Sequence, residues 1–453
     1  MSLSSLLRSW VFQLAETLKE AKEHVCQVQL ASENHQATAG ETHSLFLSLL
    51  EFLPACVLAV DGVDECTDRQ ELCQLLMRIP KRFKVLMTGR YLPDLAAQLQ
   101  RKRHLSLEIS PEMTRADIDQ YITSELKKPE FQLASPLLSH IQDRLACSDG
   151  LFLWVRLMIQ HIRDQTTEEE IIKCLGEREL PATVSEQYDR ILRNIDELPE
   201  PRRLLAHKVF FWVTTSRRPL RIRELSGLLA VKPSSGRENA FELSRRITND
   251  PESAILSACG SLVTVRGTNR DLYPIHFTVT EYLRRYMATS ERLEEMTAYY
   301  NSQQLQTSDS LATAVCMRYL ALDFIAEIRE KTPQQYSDAL SVFGDDTPEL
   351  HILQYAVTQW FHHLQRVETP EPLLLTLADE LLDETRPNIQ AIWHLYWFSQ
   401  ADSAESAICP GQFTGIHIVA YFGLHQVLRH FLQTRNPAAL DGFGRSALWW
   451  TAS

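Results

Sequence analysis

Apolar residues fall into helical register from the first turn of the chain. Leu3, Leu6, Leu7, Trp10, Val11 and Leu14 recur at i, i+3, i+4 and i+7, which predicts a helix starting almost at Met1 with one apolar stripe. The apolar zone from Ser44 to Val60 is broken by Glu51 and Pro54 and reads as a helix followed by a strand. That strand, Ala55 to Asp61, is a run of small and β-branched residues too short for a helix that must overcome nucleation. Its unbroken apolarity predicts a central parallel strand buried on both faces. A helix over Asp68 to Arg78 follows, with Leu72, Leu75, Leu76 and Ile79 on one face and Pro80 ending it. A second apolar strand begins at Lys84 and closes on Thr88-Gly89-Arg90; then come a helix near Pro93 to Gln100 and an alternating strand, His104 to Ile109.

From Ser110-Pro111-Glu112, a cap followed by proline and an acid, the pattern turns helical. Ile118, Tyr121, Ile122 and Leu126 mark one helix, His140 to Leu145 another, and Gly150 opens a third that runs to Ile162. Tyr188, Ile191, Leu192 and Ile195, then Leu204 to Thr214, then a segment led by Arg217 and ending near Val231, predict three more. Two short strands, Leu262 to Val265 and Leu272 to His276, flank Gly267. The stretch from Arg292 to about Gln400 is helical and rich in aromatic residues. Thr414-Gly-Ile-His-Ile-Val-Ala420 and Ser446-Ala-Leu-Trp-Trp-Thr-Ala452 then repeat with an offset of 32 residues. Both are degraded forms of the Thr-Pro-Leu-His-x-Ala ankyrin signature at nearly its usual period.

Composition narrows the class. The 453 residues allow several domains, and 44% apolar with 23% charged residues is ordinary for a globular chain. A net charge of −12 argues against nucleic acid as the main partner, since affinity for phosphate backbones comes from clustered Lys and Arg. Nine scattered cysteines with no Cys-x-x-Cys pair fit a reducing, cytoplasmic compartment, and no membrane span is expected. His362 and His363 are adjacent, point to different helix faces and are expected to pack, not to bind metal.

Candidate chemistry gathers where the first two strands end. Ligands of parallel sheets collect at the strands' carboxyl ends, where Asp61 can hold Mg²⁺ through water and Asp64 or Glu65 can orient or deprotonate an attacking water. Thr88 and Arg90, a hydroxyl and a guanidinium, suit a γ-phosphate.

The Asp61-Gly-Val-Asp64-Glu65 step after an apolar strand resembles the Walker B segment of NACHT-type STAND NTPases, and Thr88-Gly89-Arg90 resembles their sensor-1 strand end. Residues 179 to 290 are similar to the winged-helix domain that follows fungal NACHT modules, a domain that also carries the name of GPI inositol deacylase. Ile275-His276-Phe-Thr resembles the family's apolar-His-x-Ser/Thr pattern. The resemblance implies an α/β plus α chain. Its parts are a partial parallel-sheet P-loop NTPase domain at 1–110, a helical domain at 111–178, a winged helix at 179–290, a helical linker region at 291–405 and the start of an ankyrin array at 406–453. It implies ATP or ADP with Mg²⁺ as cofactors, Asp61 on the metal, Asp64 and Glu65 on the hydrolytic water, Arg90 on the γ-phosphate and His276 on the ADP state. Protein partners through ankyrin repeats and homo-oligomers are implied as well, in a fungal switch for non-self recognition or cell death.

Two departures bear on activity. G-x-x-x-x-G-K-[ST] is missing, and Gly-Lys occurs nowhere among the 15 glycines. ATP or GTP hydrolysis is expected of the family, not of these residues, and the chain is expected to begin inside a domain and to stop within its ankyrin array. Phe152 stands where related ATPases carry an adenine-pocket proline. The alternative is a non-catalytic ankyrin and helical scaffold. A deacylase would need a serine nucleophile, and no Gly-x-Ser-x-Gly exists.

Overall fold

The structure, a computed structural model, describes residues 2–31, 37–63, 66, 68–89, 105–129, 131, 133–146, 151–163, 165–176, 184–231, 243, 249–322, 325, 350–386, 388–400 and 413–451. It is an α-rich mixed fold with one small parallel and one small antiparallel sheet. Contacts divide it into two compact units, residues 1–108 and 109–452.

In the first unit, helices α1 (Leu3–Thr17), α2 (Lys19–Ala31) and α3 (Ala39–Phe52) precede strand β1 (Val57–Val60), helix α4 (Arg69–Arg78) and strand β2 (Lys84–Met87). The stripe of α1 is buried as its spacing requires, with Trp10 stacked on Phe46 of α3 at 5.3 Å. A capping box starts α3: Thr38 Oγ1 accepts from Glu41 N, and the Glu41 carboxylate accepts from Thr38 N at 2.7 Å. The strands pair in parallel, Val57 with Lys84 through Val60 with Met87.

Burial on both faces does not hold for β1. Leu58 and Val60 are buried with Leu49, Leu72 and Leu76, whereas Val57 is 63% exposed, Ala59 is exposed, and Leu86 on β2 is 56% exposed. Among the described residues the helices cover one face, so an unbroken apolar sequence here means one packed face and one open one. The alternating stretch before the next helix is also corrected: residues 105–110 form no strand, and Leu105, Leu107 and Ile109 are exposed. Alternation has no force where nothing pairs with the segment. The helix expected near Pro93 to Gln100 lies outside the described residues.

The second unit opens with α5 (Pro111–Leu126), α6 (Ser135–Leu145), α7 (Phe152–Arg163) and α8 (Glu168–Gly176). They share a core of Ile118, Ile122, Ile141, Trp154, Val155 and Met158. Phe152 is partly exposed and meets the Tyr121 ring at 6.0 Å. Next come α9 (Val184–Asp196), α10 (Glu200–Thr215), β3 (Leu220–Arg221), α11 (Ile222–Ala230) and α12 (Pro251–Cys259). β4 (Val263–Arg266) and β5 (Asp271–Pro274) complete an antiparallel sheet of order β3-β5-β4.

Helices α13 (Phe277–Met287), α14 (Ser290–Tyr299), α15 (Ser308–Leu320), α16 (Leu353–Leu364), α17 (Pro372–Leu381) and α18 (Asn388–Gln400) share a separate core with α9 to α12, which includes Tyr188, Val209, Leu225 and Ile255. Helices α19 (Gly415–Tyr421), α20 (His425–Thr434) and α21 (Ala447–Thr451) end it. Aromatic stacking joins these last elements to the helical region: Phe413 lies on Trp393 at 4.0 Å and Phe422 on Phe361 at 3.7 Å. No helix among the described residues is long and apolar enough to cross a membrane.

Candidate nucleotide-facing strand ends

Parallel pairing brings the two polar strand ends together. Thr88 N donates to Val60 O at 2.9 Å, and Val63 N donates to Thr88 O at 2.9 Å, so the ladder continues one step past each strand. Gly62 turns the chain after Asp61 with φ 69°, in the left-handed region that glycine enters without steric cost. The Thr88 hydroxyl then donates to Asp61 Oδ1. Both residues are exposed. Behind them Asp68 Oδ2 accepts from Leu3 N at 2.9 Å, tying the chain that follows β1 to the first turn of α1. The sequence gives no sign of that tie, since its partners are 65 residues apart.

Asp61 and Thr88 are therefore brought together. Asp64, Glu65 and Arg90 lie outside the described residues. His276 belongs to the second unit, where it caps α13: Nδ1 accepts from Thr278 N at 3.3 Å, and Thr278 Oγ1 is shared with Tyr188 at 2.8 Å. An Nδ1 that accepts places the ring proton on Nε2.

An exposed carboxylate beside a hydroxyl at a parallel strand end has the chemistry to face a metal, and Asp61 would be the residue to hold Mg²⁺ through water. When bound, the metal and nucleotide supply charge neutralisation and a transferable phosphoryl group. The phosphate-cradling half needs a glycine-rich turn and a lysine, and the sequence holds no Gly-Lys. No group of three His, Cys, Asp or Glu residues able to hold a metal occurs among the described residues.

Two buried polar clusters in the second unit escaped the sequence. His207 is fully buried on α10, with Nε2 3.0 Å from Asp196 Oδ1 and Nδ1 2.8 Å from Glu295 Oε2. Arg292 reaches the same Asp196 oxygen at 2.7 Å, and Tyr286 donates to Asp196 at 2.8 Å. His363 is likewise buried, between Asp309 Oδ1 at 2.8 Å and Tyr355 OH at 2.9 Å. Burial holds its imidazole below the ordinary histidine range, outweighing the attraction of Asp309. Packing is thus the role of His363, as its position predicts, while the exposed Nδ1 of His362 meets Gln365 Oε1 at 3.1 Å.

Comparison with known proteins places these strand ends in context. Residues 1–90 match the family model described as Nephrocystin 3, N-terminal. Over 255 residues the chain is 25% identical to the "Azaphilone pigments biosynthesis cluster protein L" of Monascus ruber, covering 54% of this chain and 48% of that protein. The chain thus spans about half the length of the curated relative it matches. At a coarse level, both likenesses agree with a NACHT-like chain.

Proposed function

We propose that this chain is part of a NACHT-like, nucleotide-controlled signalling switch of the STAND type. The observation that carries the reading is the Asp61–Thr88 pair at the carboxyl ends of adjacent parallel strands, inside the stretch that matches the Nephrocystin 3 N-terminal model. In this reading Asp61 faces Mg²⁺, Asp64 and Glu65 face the hydrolytic water, Arg90 faces the γ-phosphate, and His276 Nε2 favours the ADP state. The five-part division at 110, 178, 290 and 405 follows, with residues 179–290 as a winged helix and residues 406–453 as ankyrin-type units that meet protein partners. Work in the cytoplasm, self-association on activation and a fungal recognition or cell-death pathway belong to the same proposal.

These residues alone bind nucleotide weakly. A charge-assisted bond to phosphate contributes about 1.5–3 kcal/mol, so loss of three or more lowers affinity by at least about a thousandfold. Titration of the 453-residue chain with a fluorescent ATP analogue and Mg²⁺ tests this. No saturation is expected at low-micromolar concentrations; tight binding that vanishes in Asp61→Ala would show that the phosphate cradle is present after all.

A second reading, a non-catalytic scaffold, draws on the aromatic stacking of Phe413 on Trp393 and Phe422 on Phe361, which seats the C-terminal helices on the helical region. It predicts no nucleotide-dependent change at Asp61 or Thr88 at any concentration.

A further inference from the structure

Among the described residues, the order β3-β5-β4 makes β4 an edge strand. One hydrogen bond, Ile275 N to Leu262 O at 3.1 Å, fixes which of its residues face β5. Val263 lies opposite Pro274, Thr264 opposite Tyr273, Val265 opposite Leu272 and Arg266 opposite Asp271. Bonded and non-bonded pairs alternate outward from that first bond, so Thr264 and Arg266 turn their N–H and C=O groups to β5. Val263 and Val265 turn theirs away. Pro274, which has no N–H to give, sits at a non-bonded position as this phase requires. Among the described residues, the outward amides and carbonyls of Val263 and Val265 have no backbone partner.

A cleft of about 1100 Å³ runs beside this edge. Val263, Thr264 and Val265 line it in succession, with Ser253 and Ser257 from α12 and Arg156 from α7 opposite. Successive strand residues point to opposite faces of a sheet, so a cleft that touches three in a row follows the strand's edge. It is lined by two basic and two acidic side chains. Arg270 pairs with Glu252, and Asp250 caps α12 by accepting from Ser253 N at 3.2 Å. Arg156 forms no ion pair among the described residues.

The geometry points to a peptide-binding site: an extended segment of a partner protein joins β4 as a fourth strand and sets an acidic side chain against Arg156. Unpaired edge groups are a template for such pairing, main-chain bonds giving affinity and flanking side chains giving selectivity. Four residues of β4 span roughly 13 Å, enough for two outward-facing residues to exchange bonds with the incoming strand. The site lies wholly within residues 156–275 and is independent of the nucleotide reading.

The test uses the full chain and a terminally blocked seven-residue peptide alternating valine with glutamate, followed by fluorescence anisotropy. Saturable binding is expected, weakened at least tenfold in Val265→Pro and in Arg156→Glu. Val265→Pro removes an N–H that β5 does not use and holds Thr264 extended, as it already is. Should that variant misfold, the ligand decides: N-methylation of alternate peptide residues, made in both phases, must abolish binding in one phase. A lysine-for-glutamate peptide must bind Arg156→Glu better than the natural chain. Absence of saturable binding up to millimolar glutamate peptide, or equal affinity for both N-methylated forms and the parent, overturns the proposal.

Discussion

The hydroxyl of Thr88 donates to the carboxylate of Asp61 across the ends of two parallel strands, and the backbone joins the same strand ends twice more. The side-chain bond is exposed, so its contribution to stability is small. Thr88→Val should cost no more than about 1 kcal/mol in urea unfolding, because the Thr88 N to Val60 O and Val63 N to Thr88 O bonds remain. Its effect should fall on the orientation of Asp61, read as a change in the Asp61 side-chain carboxyl NMR shift that Thr88→Ser does not produce.

His207 ties α9, α10, α13 and α14 into one network through Asp196, Tyr286, Arg292 and Glu295. Removing the imidazole leaves a void and deprives two carboxylates of a partner. His207→Ala should lower stability by about 2–4 kcal/mol, measured by denaturant unfolding. Arg202→Ala, an exposed change on the same helix, should stay within about 0.5 kcal/mol.

Acid should weaken the helical region through His363. Burial keeps its folded-state pKa below the ordinary histidine value, so the unfolded chain binds the proton more readily. The neutral ring's contribution is therefore complete above the ordinary range near about 6.5, and it is lost progressively as pH falls from there toward the lower folded value. His362, also lowered by burial, acts in the same direction. Melting temperatures between pH 7.5 and 5 should fall, and His363→Gln should flatten that fall while lowering stability at pH 7.5.

Gly415 stands where an ankyrin signature carries proline, and the fold shows why glycine is there. An added Cβ would come within 2.6 Å of the Leu382 carbonyl oxygen and 2.3 Å of an Arg435 guanidinium nitrogen. Arg435 Nη1 itself donates to Leu382 O at 2.5 Å, so neither group can move freely. Gly415→Ala should destabilise by about 1–3 kcal/mol in thermal unfolding, and Gly415→Pro by more, although it completes the repeat pattern.

What the sequence disclosed follows the range of the interactions concerned. Local periodicity located α1, α4, the helix opened by Ser110-Pro111 and the β4–β5 hairpin, because each is decided by residues within a turn or two. The Asp61–Thr88 pair was legible because two apolar runs each ended in a polar group. The exposure of Val57 and Leu86, the lack of strand structure at 105–110 and the His207 cluster depend on contacts far along the chain. Arg292 and Asp196, for example, are 96 residues apart, and no local pattern carries that information.

If Asp61 and Thr88 form the metal-facing half of a nucleotide site, paramagnetic broadening detects it even when binding is weak. With Mn²⁺ and ATP added to the isotope-labelled chain, the backbone amides of residues 61–63 and 88–89 should broaden selectively, and Asp61→Asn should remove the effect. Broadening elsewhere with these amides unchanged, or equal broadening in Asp61→Asn, would contradict it.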